Sequence, residues 1–387
     1  MKKFLFLIIA LLLIGCGSID KILNAGKIAN TDYKEIIPFN YDYNFALIDV
    51  EINSKKYTFL VDTGAPTLIS STIYKDLNIE TEDYVAVEDS QGQINTQEVV
   101  VIPEMKIGNL IYNNTGAIVS DMRDVFEFNC MQIDGIIGAT QMAKSFWKFD
   151  YQNKEITISN QLSKYDITTF KDTLSFAVSG TKTPYIRGHV NGKETLFTYD
   201  TGFGGHIDVN KRLDDFKNAT GYTIIGNSGV GLYGAVDSTK IRSIKADSLR
   251  IGHIEMAAQK VDLDHSGLIG NDFMNKYEII MDWTVQNIYL KKLKDFETTE
   301  QNSFGFKFRI KENKAVVTGI IKEYPIDLKL GDVILSINEF DYQNITDSNA
   351  CEIWNSTTYK GLESINVTYL RNDVIKETTL KKIQLMD

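Results

Sequence analysis

Tyr57-Thr58-Phe59-Leu60-Val61-Asp62-Thr63-Gly64-Ala65 is an apolar, β-prone run that ends in a carboxylate, a hydroxyl and a glycine. A second copy lies downstream, in Thr195-Leu196-Phe197-Thr198-Tyr199-Asp200-Thr201-Gly202. One Asp-Thr-Gly is an ordinary turn, in which the Asp accepts backbone N–H bonds. Two copies, each directly after a strand-like run, point instead to a site built from paired carboxylates.

The flanking sequence repeats as well. Asn53 lies nine residues before Asp62, and Asn191 nine before Asp200; each opens a turn, Asn53-Ser54-Lys55 and Asn191-Gly192-Lys193, of the kind that joins two strands of a hairpin. Ile69 and Ile207 each follow their Asp by seven residues. Met105-Lys106-Ile107-Gly108 matches Leu249-Arg250-Ile251-Gly252, and Asp134-Gly135-Ile136-Ile137-Gly138 matches Ser266-Gly267-Leu268-Ile269-Gly270. Both copies then run 12 residues from the last glycine to an Asp, Asp150 or Asp282. A repeat of about 130 residues is a domain-sized lobe, not a solenoid unit.

Inside each lobe the pattern is mostly strand. Alternation is clear in Ala46–Ile52 and Val99–Ile102. Helices are expected only around Thr72–Leu77, Ala139–Lys144, Val209–Phe216 and Asn271–Lys276. The expected fold is mainly β: two pseudo-twofold-related β-barrel lobes, 32–160 and 161–293, followed by a further domain.

Related by such an axis, Asp62 and Asp200 would meet. Two carboxyls a few Å apart cannot both ionise easily and share a proton. The ionised member can take a proton from water while the protonated member hydrogen-bonds a carbonyl. Gly64 and Gly202 allow tight turns behind the carboxylates. Thr63 and Thr201 can tie the two loops together through their hydroxyls.

The two Asp-Thr-Gly segments, each followed by an apolar-apolar-Gly segment, resemble the pepsin- and retropepsin-like aspartic proteases over roughly 32–293. The resemblance implies a catalytic dyad of Asp62 and Asp200. It implies support from Thr63, Gly64, Ala65, Thr201 and Gly202, and from Ile136-Ile137-Gly138 and Leu268-Ile269-Gly270 packed behind the loops. It also implies a peptide or protein substrate, a hairpin flap, and no metal or organic cofactor. Phe203 departs from the pattern, because a Ser, Thr or Ala usually follows the second glycine and a hydroxyl there bonds the outer oxygen of the Asp. A catalytically inactive peptide-binding protein is therefore the alternative reading.

Asp89–Gln93 is the expected flap tip of the first lobe, and Gly226–Gly234 its counterpart. The second stretch contains a formal Gly-x-Gly-x-x-Gly at Gly229, Gly231 and Gly234. A nucleotide site needs a helix to follow; the strand-like Ala235–Ile241 follows, so the stretch reads as a hairpin loop. Asp150 and Asp282 precede turns and read as Asx residues, not catalysts. Trp147 and Trp283 read as core.

At the start of the chain, Lys2 and Lys3 precede an apolar run from Phe4 to Ile14, too short to span a bilayer. Leu13-Ile14-Gly15-Cys16 resembles the bacterial lipoprotein signal box. That resemblance implies a signal peptide over 1–15, lipid on Cys16 and attachment to a membrane. Gly17 in place of Asp favours the outer membrane of a cell envelope. Residues 16–31 read as a tether.

The formal charge of −10, without basic clusters, argues against a nucleic-acid partner. Four histidines without His-Glu-x-x-His, and no Gly-x-Ser-x-Gly, argue against zinc and serine hydrolases. Besides Cys16 the cysteines are Cys130 and Cys351. They fall in different expected domains and read as two buried free thiols.

Residues 294–302 read as a linker. Beyond it, Gly331-Asp332-Val333-Ile334-Leu335-Ser336-Ile337-Asn338, an expected helix at Ser348–Trp354 and a late strand at Ile365–Leu370 resemble a PDZ domain, α+β, over 303–387. Phe304-Gly305-Phe306 matches that family's carboxylate-binding loop. The resemblance implies a C-terminal peptide ligand that adds as a strand; intramolecular packing is the other use open to such a fold.

Overall fold

The computed structural model describes residues 17–210, 216, 219–226, 229–236, 239–264, 266–296, 302–356, 359 and 361–385. The chain is mainly β and divides into two compact units. The first comprises 1–208, 248–257 and 266–296; the second comprises 209–247, 258–265 and 297–387. Cys16 and the signal segment lie outside the described residues.

The first unit begins with a closed ring of six strands: Leu110–Val119, Leu68–Ile69, Ile133–Gly138, Lys55–Asp62, Leu47–Ile52 and Ile94–Ile107, which returns to the first. Its elements follow from local chemistry. Asn53 and Ser54 both take positive φ (51° and 60°), the geometry that lets a two-residue turn match the twist of its strands. Leu47–Ile52 and Lys55–Asp62 then pair antiparallel, sending Val50, Phe59 and Val61 into the core. Asn191 and Gly192 repeat the turn (φ 49° and 78°) between Pro184–Val190 and Lys193–Tyr199. Thr81–Glu88 and Ile94–Ile107 form a hairpin closed by Asp89–Gln93, where Asp89 Oδ1 accepts the N–H groups of Gln91 and Gln93.

The ends of the two repeats meet in one six-stranded sheet, ordered Asp172–Ser175, Asn287–Lys292, Tyr277–Asp282, Phe146–Asp150, Glu155–Ser159, Lys34–Pro38. At its centre Trp147 pairs with Met281 and Lys148 with Ile280. Glu278 is buried there between the ammonium groups of Lys148 and Lys291, at 2.8 and 2.7 Å. Trp147 and Trp283 are core residues. Asp150 and Asp282 accept turn N–H groups from Asn153 and Thr284.

In the second unit, Lys314–Ile321 pairs with Phe306–Lys311 along one edge. Along the other it meets Val333–Ile337 and, through Gly319–Ile321, the strand Gly221–Gly226. Gly221–Gly226 in turn pairs with Thr239–Ala246. Helix Ala350–Asn355 and the hairpin of Ser364–Arg371 with Val374–Lys381 complete the unit. Gly331 (φ 86°) turns the chain so that buried Asp332 accepts from the Lys329 N–H at 2.7 Å and pairs with Arg371 at 2.6 Å.

Four expectations change. Residues 17–31 are not a tether. A helical segment over 17–23 buries Leu23 (2% exposed), and Lys27–Ile28 pairs with the barrel strand Leu110–Val119. Gln141 and Lys144 donate to the carbonyls of Leu23, Ala25 and Asn24, so the arm is bonded down even though no periodic pattern marks it. Val209 and Asn210 belong to strand Ile207–Asn210, not to a helix, because Ile207 and Asp208 pair with Leu268–Ile269; 211–215 lie outside the described residues. Cys130 and Cys351 are disulfide-bonded and not free thiols. Asn302 belongs to a strand, Asn302–Ser303, paired with Ile383–Gln384, so the linker stops short of it.

Candidate active site

Asp62 is the last residue of its strand. Parallel pairing sets Val61 beside Ile137 and Asp62 beside Gly138. The second repeat does the same: Thr198 and Tyr199 pair with Leu268 and Ile269, and the Asp200 N–H donates to the Ile269 carbonyl at 2.9 Å. Ile136, Ile137 and Ile269 are buried, with Leu268 half-buried, so each carboxylate stands on an apolar strand that fixes its height. Gly138 has no room for a side chain, since a Cβ would lie 2.1 Å from the Pro66 carbonyl carbon.

The two loops face each other. A Cβ on Gly64 would lie 2.6 Å from the Asp200 carboxyl carbon, and one on Gly202 would lie 2.3 Å from that of Asp62. Each glycine therefore leaves the space that the opposite carboxyl fills. The Gly64 N–H donates to Asp62 Oδ1 at 2.7 Å and the Gly202 N–H to Asp200 Oδ1 at 2.8 Å. The carboxyls of Asp62 and Asp200 are close enough for each to shift the titration of the other.

Beneath them the threonines cross. The Thr63 N–H donates to Thr201 Oγ1 at 3.0 Å, and the Thr201 N–H to Thr63 Oγ1 at 3.1 Å. Thr63 Oγ1 donates to the Tyr199 carbonyl, and Thr201 Oγ1 to that of Val61 at 2.8 Å. Four buried bonds worth about 1 kcal/mol each, net of the water they replace, hold the loops in one arrangement.

Burial raises the pKa of both carboxyls, and the charge of Asp62 beside it pushes Asp200 well above the ordinary carboxylate range. Backbone N–H groups oppose the rise: Gly64, Ala65 and Gly202 toward Asp62, Gly202 and Phe203 toward Asp200. The pair titrates as a unit. One proton is retained between the two carboxyls to a pH at which an isolated Asp would have lost it.

The bulk of Phe203 is accommodated by glycines. A Cβ on Gly205 would lie 2.3 Å from Phe203 Cζ, and one on Gly270 2.5 Å from Cδ1, so the ring packs over two bare backbones. Its carbonyl accepts the Asn271 N–H at 2.8 Å. Ala65 likewise carries no hydroxyl, so neither loop offers one at this position.

Several supports escaped the sequence reading. Buried Asn271 donates to the Thr201 carbonyl at 2.8 Å and accepts from the Tyr151 hydroxyl at 3.1 Å. Thr67 and Thr140 are bonded through their hydroxyls behind the first loop. Asn271 and Thr140 hold equivalent places, one residue apart, after Gly270 and Gly138, which is the one signal that could have found them. Phe304, Gly305 and Phe306 belong to the second unit, apart from the unit that carries both aspartates. Gly305 has φ 87°, and its N–H is bonded to Ser303 Oγ at 3.0 Å.

Residues 48–140 match the model of a family described as aspartyl protease. The match covers about a quarter of the chain and includes Asp62 and Ile136-Ile137-Gly138. No curated protein matches the chain. The match and the closed barrel fit a retropepsin-like region.

Proposed function

We propose that this chain is an aspartic endopeptidase of the cell envelope, lipid-anchored through Cys16, with a PDZ domain that captures peptide C-termini. The supporting observation is the reciprocal packing of Gly64 on Asp200 and Gly202 on Asp62, which sets each carboxyl against the opposite loop. Asp200, with the higher proton affinity, enters the reaction protonated and donates to the scissile carbonyl oxygen. Ionised Asp62 takes a proton from a water molecule as its oxygen bonds to the carbonyl carbon. The tetrahedral diol then collapses, the C–N bond breaks, and the leaving amine takes the proton held by Asp62. The diol hydroxyl returns its proton to the pair, restoring one shared proton. The hairpin tipped by Asp89–Gln93 serves as the lid that excludes water.

A second reading, a silent peptide-binding lipoprotein, is favoured by Phe203, which supplies no hydroxyl to Asp200. One assay separates the two. The chain from Gly17 onward is incubated with a random peptide library, alongside its Asp62→Asn variant. The protease reading expects cleavage by the first and a loss of at least ~10³-fold in the second, the range for removing a general acid–base group. Equal cleavage by both, or cleavage by neither, overturns it.

A further inference from the structure

The loops behind the two aspartates are held differently. Behind Asp62 the chain runs Ala65-Pro66-Thr67. Proline limits the backbone, and Thr67 Oγ1 accepts the Gly138 N–H at 3.1 Å. Behind Asp200 it runs Phe203-Gly204-Gly205, two consecutive residues with the widest conformational freedom. Backbone bonds reach both ends of this segment: Asn271 N–H to the Phe203 carbonyl and Asp272 N–H to the Gly205 carbonyl, at 2.8 and 3.0 Å. The Gly204 carbonyl, in the middle, is met from outside the second repeat. The side-chain amide of Asn44 donates to it and, at 2.9 Å, to Asp272 Oδ1. The neighbouring Phe45 ring covers Gly204, where a Cβ would sit 3.2 Å from it.

Asn44 adopts φ 63°, a left-handed conformation that Asn tolerates better than most residues. Its arm is fixed at both ends, by the Asn40–Leu47 bridge and by the edge-on stack of Tyr41 against Tyr151. A residue of the first lobe thus bridges the glycine-rich loop to the segment behind it.

We infer that Asn44 is a positioning residue for the second half of the dyad, clamping the Phe203–Gly205 loop so that the Gly202 N–H, 2.8 Å from Asp200 Oδ1, stays aimed at that carboxyl. The inference rests on the proposed dyad. Asp62 is the charged group that faces Asp200. Beside Asn44 stand the carboxylate of Asp272 and, in its own turn, Asp42, which lies 3.7 Å from Lys154 Nζ.

Asn44→Gly is the informative variant, because glycine keeps the left-handed backbone without strain and removes only the amide. Asp272→Asn keeps an acceptor for Asn44 and serves as the conservative control. Four quantities are read in the full mature chain: kcat and KM against pH on a library-derived peptide, the ¹³C-carboxyl titration of Asp-labelled protein, and the melting temperature. For Asn44→Gly, kcat falls about tenfold, within the cost of a sub-ångström misplacement, and KM stays within about twofold. Loss of an N–H donor disfavours the ionised dyad, so its titration and the acid limb of kcat move to higher pH. Asp272→Asn stays near wild type, and both variants melt as wild type does. A wild-type kcat and titration in Asn44→Gly overturns the inference, as does a kcat loss matched by loss of folded protein. If the wild-type chain cleaves nothing, the proposed activity fails, and the carboxyl titration alone still decides the clamp: displaced in Asn44→Gly it stands, unmoved it falls.

Discussion

Phe203 occupies the one position near the dyad where side-chain chemistry and packing pull apart. A hydroxyl there would donate to the Asp200 carboxylate and favour its charged form; the phenyl ring instead covers Gly205 and Gly270. Phe203→Ser is therefore expected to move the acid limb of the pH–activity profile to lower pH. It should also cost about 3 kcal/mol of stability, the usual price of deleting a packed ring, read from a urea unfolding curve. An unchanged acid limb would show that the new hydroxyl does not reach the carboxyl. The buried dyad makes a second prediction. Both carboxyls have pKa values raised by burial, so the folded state binds more protons than the unfolded one just above the ordinary Asp range. Stability from this source is complete at low pH and declines as pH rises through the folded-state values. Asp200→Asn removes the larger, Asp200 share of that slope, so its melting temperature should gain on wild type as pH rises above the ordinary Asp range; parallel melting curves there would contradict the raised values. Asp62 and Asp200 were legible because a local motif recurs in a repeat. Asn44 was not, since its bond to Gly204 joins residues 160 apart and no pattern along the chain encodes it.

At the level of elements, period-two alternation and the Asn-led turn identified Leu47–Ile52, Lys55–Asp62 and part of Ile94–Ile107 in the first repeat. The reading failed where an element is short or takes its partner from far away. The segment 17–31 has too few residues for a periodic signal, yet Leu23 is buried and its neighbours are bonded to Gln141 and Lys144. Leu23→Ala should cost about 2–4 kcal/mol; a cost under about 0.5 kcal/mol, as expected of an exposed linker residue, would restore the tether. Ile207–Asn210 became strand through pairing with Leu268–Ile269, which local propensity does not register. The strand Gly221–Gly226 takes one partner from its own hairpin and the other from Lys314–Ile321, nearly a hundred residues on. A proline at Ile320 removes a ladder donor and strains the strand. Hydrogen exchange of Ile320→Pro should then show faster exchange in Gly221–Gly226 as well as in Phe306–Lys311, with Lys55–Asp62 as the internal reference. Faster exchange confined to Phe306–Lys311 would mean that the hairpin stands without its second partner.

For the whole molecule, the repeat predicted two lobes and a separate C-terminal domain, whereas the compact units divide the second repeat between them. Sequence similarity marks common descent of segments, and it is silent on which neighbour a strand finally joins. The proposed division of labour, cleavage by the unit that carries Asp62 and Asp200 and capture by the unit that carries Phe304-Gly305-Phe306, has a kinetic consequence. A substrate held by its C-terminus presents the rest of its chain at an effective concentration of about millimolar, so capture lowers KM without touching the chemical step. Two peptides sharing one cleavage sequence and one apolar C-terminal tail, the first ending in a free carboxylate and the second amidated, differ only in what the proposed carboxylate-binding loop would recognise. The free acid should show a KM at least about tenfold lower at equal kcat, and the advantage should shrink for linkers too short to bridge groove and dyad. Gly305→Val, which forces a branched side chain into φ 87° with a Cβ 3.1 Å from Ile326, should erase the difference while leaving the amidated peptide's kinetics unchanged. Equal KM for the two peptides on the intact chain would separate the groove from catalysis and leave it a packing surface.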